Sequence, residues 1–464
     1  MNIQFDKLVR VYFIGIGGIG MSALARYFVK QGKVVCGYDR TQTSLTLELE
    51  REGIDIHYVD DINLIPREFR NNLNDTLVVY TPAVPKNHSE LEFFESKGFS
   101  VVKRAKALGI ISESKKTLAI AGTHGKTTTT TLLTHLLYNS SVGCNAFLGG
   151  ISKNFSSNLV VSENPSDNLV VEADEFDRSF LNLFPSLAII TSADADHLDI
   201  YGDHHEVIYA YEAFASQIKH NGILIIKQGI GIAPLLSTSI KVYIYSLETK
   251  TDYYVSELTI KDGFYHFDLN TPKGVIKDLI LGIPGLYNVE NAIAASAAAL
   301  LQGVTEEELR KGLISFKGVD RRFDVRYRGK KVVYIDDYAH HPEELRAAIT
   351  SVKEMFPHRT VAGIFQPHLY TRTRDFMHEF AQSLDLLDRI YLLDIYPARE
   401  EPIPGVTSNS ILGLMKNQNK SLLAKEELIE RLKVDDLDIL ITMGAGDIDK
   451  MAPTIVKILE DRGL

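Results

Sequence analysis

A three-domain α/β protein is what this sequence predicts, and three observations carry the prediction. A strand, a glycine-rich turn and a helix follow one another over Arg10–Lys30, and the same pattern returns at Thr117–Tyr138. Beyond Gly318, four further strand-like runs each end in charged or glycine residues. A length of 464 residues accommodates about three domains. The expected divisions are 1–114, a Rossmann-like domain; 115–316, a central α/β domain of the P-loop ATPase type; and 317–464, a second Rossmann-like α/β domain.

Composition narrows the partners. The net charge of −10 argues against nucleic acid, because affinity for a phosphate backbone comes from clustered Lys and Arg. The two cysteines, Cys36 and Cys144, sit in separate apolar runs with neither a disulfide framework nor metal-ligand spacing, so a cytoplasmic setting is expected. No run approaches the ~18 apolar residues of a membrane span. Lys7 and Arg10 before an apolar run imitate a signal peptide, but the glycines of Gly15–Gly20 fit a nucleotide fold better.

In the first element, VYFIG reads as a strand, GIGGIG as a turn, MSALARYFVKQG as a helix and VVCGYD as the next strand. Gly15, Gly17 and Gly20 satisfy G-x-G-x-x-G with Gly18 between them, and Asp39 stands where a dinucleotide fold places its ribose-binding acid. Taken alone this says NAD. Glycines before a helix N-terminus nevertheless bind any pyrophosphate, and a nucleotide-sugar diphosphate satisfies the same physics.

The second element carries the phosphate loop. Thr117–Ala121 breaks at Gly122, Thr123, His124, Gly125, Lys126 and Thr127, and Leu132, Leu133, Leu136 and Leu137 repeat at helical spacing. Backbone N–H groups, a helix N-terminus and the Lys126 charge then converge, which suits a polyphosphate. Ile120 replaces the first Walker A glycine, so the loop is a shortened form. Two later strands run into acids: Glu172, Asp174, Glu175 and Asp177 after the first, Asp194, Asp196, His197 and Asp199 after the second. In a parallel sheet both ends meet the phosphate loop, where Mg²⁺ belongs, held by one or two carboxylates, the Thr127 hydroxyl and ATP phosphates. His197 is a packing residue or a ligand. Further on, Asn288 and Asn291 share a face at the start of an alanine-rich helix, where Asn288 also reads as an N-cap and Asn291 as a solvated position, and Tyr253–Pro272 alternates as an antiparallel insertion of structural role.

In the third element, strands Val332–Asp336, Thr360–Gln366, Arg389–Asp394 and Asp438–Met443 alternate with helical stretches. They run into Asp337, His340 and His341; into His368, Arg372 and Arg374; into Tyr396, Arg399 and Glu400; and into Gly444, Gly446 and Asp447. Four such ends on one sheet edge describe an active-site rim.

Together the motifs AGTHGKT, EADE, ADADHLD, N-x-x-N, G-x-x-RRFD, DDYAHHP, FQPH-x-YTRT, YPAREEP and MGAGD, in this order across all three domains, resemble the Mur ligases. The opening GIGGIGMSALA resembles the UDP-binding start of the family's alanine-adding branch. The resemblance implies ATP- and Mg²⁺-dependent joining of L-alanine to UDP-N-acetylmuramate through an acyl phosphate, in cytoplasmic peptidoglycan synthesis. It implies that Gly15, Gly17, Gly18, Gly20 and Asp39 receive the UDP sugar, and that Gly122 to Thr128, including Thr123, His124, Gly125, Lys126 and Thr127, cradle ATP. Asn288 and Asn291 are implied at adenine, and Arg322 and Asp337 elsewhere on the nucleotide. Thr127, Glu172 and His197 are implied as magnesium ligands, and His341 and Arg372 at the amino acid; Lys126, Glu172, His197, Arg322, Asp337, His341 and Arg372 form the implied catalytic set. Domain closure is the implied step that excludes water.

Three positions depart from the family pattern: Tyr287 stands for His, Leu369 for Arg, with Arg374 a possible substitute, and Lys106 for Glu. Tyr201–Ser216 contains no lysine, whereas ligases adding later amino acids use a carbamylated one, so the alanine-adding branch is favoured. The rivals are a ligase that recycles a preformed tripeptide onto the same UDP sugar, an NAD-dependent dehydrogenase and a non-catalytic nucleotide-binding regulator. Oligomeric state is not encoded in any visible pattern.

Overall fold

The computed structural model describes residues 7–85, 87–162, 166–194, 201–261, 264–398 and 400–464. His197, with Asp196 and Asp199, and Arg399 lie outside the described residues. The chain forms two compact units, one holding the residues up to Leu258, Phe267–Ile280 and Glu290–Lys317, the other Thr259–His266, Leu281–Val289 and Gly318–Leu464.

The first unit contains the first sheet and most of the second. Strands β1 (Arg10–Ile14), β2 (Val34–Tyr38), β3 (Asp55–His57), β4 (Thr76–Tyr80) and β5 (Ser100–Lys103) lie in the order β3-β2-β1-β4-β5, all parallel. This is the doubly wound order, whose switch point falls beside β1, where the glycine turn begins. The helix after it, Ile19–Lys30, starts inside the glycine motif rather than after it, so Gly20 is helical. The second sheet comprises β6 (Lys116–Ala121), β7 (Asn145–Ser152), β8 (Ser157–Val160), β9 (Asn168–Glu172), β10 (Leu187–Ile190), β11 (Ile223–Lys227), β12 (Lys241–Ser246), β13 (Tyr253–Lys261), β14 (Phe264–Thr271) and β15 (Gly274–Leu281). Its order is β15-β14-β13-β12-β11-β10-β6-β9-β7-β8. The phosphate-loop strand β6 therefore sits between β9 and β10, the two strands that end in acids, and is parallel to both. Tyr253–Pro272, expected as an antiparallel insertion, supplies β13 and β14, and β15 continues this edge of the sheet.

In the second unit, β16 (Asp324–Arg328), β17 (Val333–Asp337), β18 (Val361–Phe365), β19 (Arg389–Leu392), β20 (Lys420–Leu422) and β21 (Ile439–Met443) form a sheet in the order β16-β17-β21-β18-β19-β20. Only β16 is antiparallel, so β17, β18, β19 and β21 present their ends along one edge, as the sequence predicts.

One buried cluster of the first sheet titrates. The Tyr12 hydroxyl donates to Glu90 at 2.7 Å and lies 2.9 Å from His57 Nε2, while Asp60 accepts from Ser89 and lies 3.4 Å from His88. Burial pushes the Glu90 carboxyl up to about 7 against the Tyr12 hydrogen bond. With the folded value above the ordinary 4.5, the contribution of Glu90 to stability is full below about 4.5 and is lost as pH rises to about 7. Glu90→Gln is expected to remove a decline on the order of 3 kcal/mol, read from urea unfolding at pH 5 and pH 8. Identical pH slopes in variant and wild type would refute this.

Candidate active site

The phosphate loop is shaped by two glycines. Gly122 and Gly125 have φ of +137° and +81°, and a Cβ on either would strike Thr191 Oγ1 at 2.0 Å or Asn291 Oδ1 at 2.4 Å. Side-chain anchors from the neighbouring strand end complete the turn: Ser192 Oγ accepts from the His124 N–H at 2.7 Å, and the Thr123 hydroxyl donates to the Asp194 carbonyl at 3.1 Å. The helix Lys126–Tyr138 then opens with no side-chain cap, which leaves its first N–H groups for an anion. Thr127 and Thr128 occupy the first turn and are buried. Asn291 belongs to this loop as well, since Thr129 donates to its Oδ1 at 3.3 Å.

Lys126 is buried and folded back. Its ammonium donates to the Gly122 carbonyl at 2.6 Å and pairs with Glu175 at 2.8 Å. Burial lowers its pKa, but Glu175, Glu172 and Asp174 together outweigh that and raise it, so the charge persists. Glu175 was quoted in the sequence only as part of an acidic run. What singles it out is the 3-10 segment Phe176–Asn182, in which Asp177 and Arg178 adopt φ of +53° and +52° and turn the chain sharply after it. The Tyr201 hydroxyl donates to the Glu175 carbonyl at 2.6 Å and steadies this turn.

Beside the lysine, Thr127 Oγ1 donates to Glu172 Oε1 at 3.1 Å. A Cβ at Gly149 would stand 2.1 Å from Glu172 Oε2, so the glycine keeps open the space next to that carboxylate. A hydroxyl and a carboxylate are hard oxygen donors, which fits Mg²⁺. Among the described residues no three His, Cys, Asp or Glu side chains converge to hold a metal by themselves. That is compatible with magnesium, which keeps waters and takes ligands from bound phosphates.

A cleft of about 240 Å³ runs from these carboxylates to the first glycine motif. Gly18, Ile19, Gly20, Thr81 and Arg104 line one end, and Phe147, Gly149, Glu172 and Asp174 the other. Gly17 donates its N–H to Asp39 Oδ2 at 2.7 Å and Thr41 donates to Oδ1 at 3.0 Å, so Asp39 holds the glycine turn in shape. Gly15, at φ +85°, has no room for a side chain because Thr81 would lie 2.5 Å from it. Arg104, not singled out from the sequence, opens the helix Arg104–Glu113. Its guanidinium would meet a Gly20 Cβ at 2.8 Å and pairs with Asp174 at 3.2 Å, which places a cation at the glycine helix. The available signal was its position at the end of β5.

The second unit gathers the remaining residues around Asp337. This buried carboxylate accepts from the Phe323 N–H and the Ala339 N–H at 2.7 Å each, and from the Tyr287 hydroxyl at 3.3 Å. Burial pushes it up to about 6, with Arg322 and the two backbone donors pulling the other way. Arg322 stands between two residues of positive φ, Arg321 at +61° and Phe323 at +47°. Such backbone costs on the order of 1–3 kcal/mol per residue, and the Asp337 hydrogen bond is what holds Phe323 in it. The Arg321 and Arg322 guanidiniums lie 4.9 and 5.0 Å from the centre of the Tyr338 ring. Asn288, expected to cap a helix or touch adenine, is buried inside the first turn of Leu286–Gln302 and donates to the Pro284 carbonyl at 2.6 Å.

At the other strand ends, His341 caps the helix Pro342–Met355, and its ring meets Phe376 edge-on at 4.8 Å. Arg372 is buried within the short helix Tyr370–Asp375. Leu369 holds φ +71° by donating its N–H to the Tyr396 carbonyl at 3.0 Å. Arg374, the candidate substitute for the missing arginine, is exposed and pairs with its neighbour Asp375 at 2.7 Å. Gln366 donates to Asp447 at 3.0 Å, Lys425 pairs with the same carboxylate, and the His368 ring stacks on Tyr396. Lys106 is exposed.

Comparison with known proteins gives the family. The descriptions that match are Mur ligase family, catalytic domain, over residues 10–116; Mur ligase middle domain, over 120–299; and Mur ligase, glutamate ligase domain, over 321–446. The chain belongs to the Mur ligase family. It is 53% identical over 453 residues to a UDP-N-acetylmuramate–L-alanine ligase of Porphyromonas gingivalis, covering 97% of this chain and 99% of that one. A ligase of the same description from Parabacteroides distasonis is 52% identical, with 98% of each chain covered. The crystal structure of UDP-N-acetylmuramate-alanine ligase from Thermotoga maritima superposes with a TM-score of 0.80 at 27% identity, covering 98% of this chain and 99% of that one.

Proposed function

We propose that this protein is the ATP-dependent ligase that joins L-alanine to the lactyl carboxylate of UDP-N-acetylmuramate in peptidoglycan synthesis. The observation that carries the reading is the cleft that runs from a glycine-rich helix start to Glu172, beside the phosphate-loop lysine. The near-full-length likeness to the alanine-adding relatives supports it over tripeptide recycling. An NAD-dependent dehydrogenase would leave Lys126, Glu172 and Glu175 without a task.

In this reading residues 1–114 hold the UDP sugar, 115–316 hold ATP and 317–464 receive the amino acid. Gly15, Gly17, Gly18 and Gly20 take the diphosphate on the open helix start, with Arg104 as a cation beside it. A carboxylate is a poor electrophile, so its oxygen attacks the γ-phosphorus of ATP, giving an acyl phosphate and ADP. Phosphoryl transfer of this kind depends on positioning and charge neutralisation. Lys126, released from Glu175 and the Gly122 carbonyl, supplies a charge to the transferred group, and Thr127 and Glu172 hold Mg²⁺, with His197 a further ligand. Bound there, Mg²⁺ supplies charge neutralisation at the phosphates. The alanine amine then attacks the acyl carbon, the amide forms and phosphate leaves. Asp337 and Arg322 contact the nucleotide, as do Asn288 and Asn291, and His341 and Arg372 serve the amino acid. In this reading the reaction is cytoplasmic. Among the described residues no helix is long and apolar enough to cross a membrane.

Phosphate release from ATP with Mg²⁺ and UDP-N-acetylmuramate tests the reading, with L-alanine compared against L-Ala-γ-D-Glu-meso-diaminopimelate. Release dependent on L-alanine is expected. Release only with the tripeptide would transfer the protein to the recycling branch, and none with either acceptor would remove the ligase assignment.

A further inference from the structure

A buried polar node centred on Asn158 of β8 grips the first turn of the glycine helix. Asn158 is fully buried, and its amide N–H groups donate to the Ile19 carbonyl at 2.6 Å and to Ser22 Oγ at 2.9 Å. Ser22 in turn donates to the Ile19 carbonyl at 2.9 Å. The Asn158 carbonyl accepts from Arg26 Nη1 at 2.6 Å. Arg26, itself 8% exposed, is closed by Glu52, which takes its Nε at 2.9 Å and its Nη2 at 2.6 Å, and by Glu48 at 3.3 Å. Glu52 and Glu48 therefore balance the buried guanidinium, which frees position 158 to be a neutral amide that accepts from Arg26 and donates to the helix. A carboxylate there could not donate to Ile19.

The location of the grip matters more than its strength. Ile19 and Ser22 form the first turn of the helix whose start faces the cleft. β8 is paired antiparallel with β7, which carries Phe147 against Tyr27 of the same helix at 5.3 Å and Gly149 against the Glu172 carboxylate. One two-stranded ribbon thus touches the helix start at one point and the metal-binding carboxylate at another. We infer that Asn158 is a positioning residue for the ligation. Through Ile19, Ser22 and Arg26 it gauges the glycine helix, and the sugar nucleotide resting on it, against Glu172 and the phosphate loop. This inference rests on the ligase reading proposed above.

The test compares Asn158→Ala and Ser22→Ala with the wild-type protein, measuring the dissociation constant of UDP-N-acetylmuramate by calorimetry, kcat, KM for ATP and the thermal midpoint. Because the glycine turn itself is untouched, the sugar nucleotide is expected to bind within about 3-fold of wild type. A displacement of the reacting carboxylate of even 1 Å can cost ~10²-fold in rate, so kcat is expected to fall at least ~10-fold in Asn158→Ala. Ser22→Ala, which keeps a good helix former at its position, is expected to fall ~3-fold in the same direction with KM for ATP unchanged. A lower thermal midpoint with kcat per folded molecule unchanged would reduce the node to packing and overturn the inference. Should Asn158→Ala fail to fold, an unchanged kcat in Ser22→Ala overturns it equally. Wild-type turnover with L-alanine is the separate control: its absence would remove the ligase reading, whereas its presence beside unaffected variants removes only the role of Asn158.

Discussion

Lys126→Ala is expected to lower L-alanine-dependent phosphate release by at least ~10³-fold while leaving UDP-N-acetylmuramate binding in place. The lysine carries a charge that Glu175, Glu172 and Asp174 keep protonated, and its ammonium lies against the phosphate loop at the Gly122 carbonyl. In the proposed reading the UDP sugar rests on the glycine helix, whereas the Lys126 ammonium donates to Gly122, Thr123 and Glu175. The substitution also leaves Glu175 as a buried carboxylate without its lysine, and breaking such a pair costs on the order of 3–5 kcal/mol. A lower thermal midpoint is therefore part of the expected result. The double variant Lys126→Ala with Glu175→Gln separates the two effects: it should regain most of the lost stability and none of the turnover. Recovery of turnover in the double variant would mean that Lys126 serves only to neutralise Glu175. Equal loss of sugar-nucleotide binding and catalysis would argue against the division of sites.

Asp337→Asn is the second large effect, with kcat/KM for ATP expected to fall about 10²-fold at pH 8. A hydrogen bond to a charged group is worth about 1.5–3 kcal/mol, and here one carboxylate holds Phe323, Ala339 and Tyr287 at once. The amide that replaces it turns an N–H group towards donors. The pH dependence follows from the raised pKa. In the wild type Asp337 takes up a proton as pH falls through about 6, so KM for ATP should rise on the acid side and stay level above it. For folding the sign is opposite: the protonated form is favoured, and stability declines as pH rises from the ordinary 3.8 through about 6. Both trends should vanish in the variant. An acid limb that persists in Asp337→Asn would assign it to another group, and loss of soluble protein would make the residue structural.

Much of the candidate site was legible because it is written in local pattern. A glycine turn between a strand and a helix announces an anion site from a dozen residues, and both such turns are present with their expected strands. The acids after β9 and β10 could be placed beside β6 because neighbouring parallel strands share an edge. The same argument collected Asp337, His368, Tyr396 and Gly444 on one rim of the third sheet. Less legible was the choice among similar residues. In Glu172-Ala-Asp174-Glu175 the sequence offers three carboxylates in four positions. Which one meets Thr127 and which one meets Lys126 depends on the turn at Asp177 and Arg178, whose positive φ no composition rule indicates. The sequence likewise does not show that Arg374 pairs with its neighbour Asp375.

By itself the sequence determined the class of chemistry: two anion-binding turns, a lysine for phosphate, acids for a metal, and a rim of ionisable strand ends, each a consequence of short-range backbone geometry and residue type. Only the tertiary structure decided the pairings that make those residues work together. Lys126 with Glu175, Gly149 with Glu172, Arg104 with Gly20, Asp337 with Phe323, and Asn158 with Ile19 and Arg26 are 14 to 139 residues apart in the chain. Contacts at such separations are selected by packing, where a buried charge or amide must find a partner, and packing is a property of the folded whole rather than of any one segment.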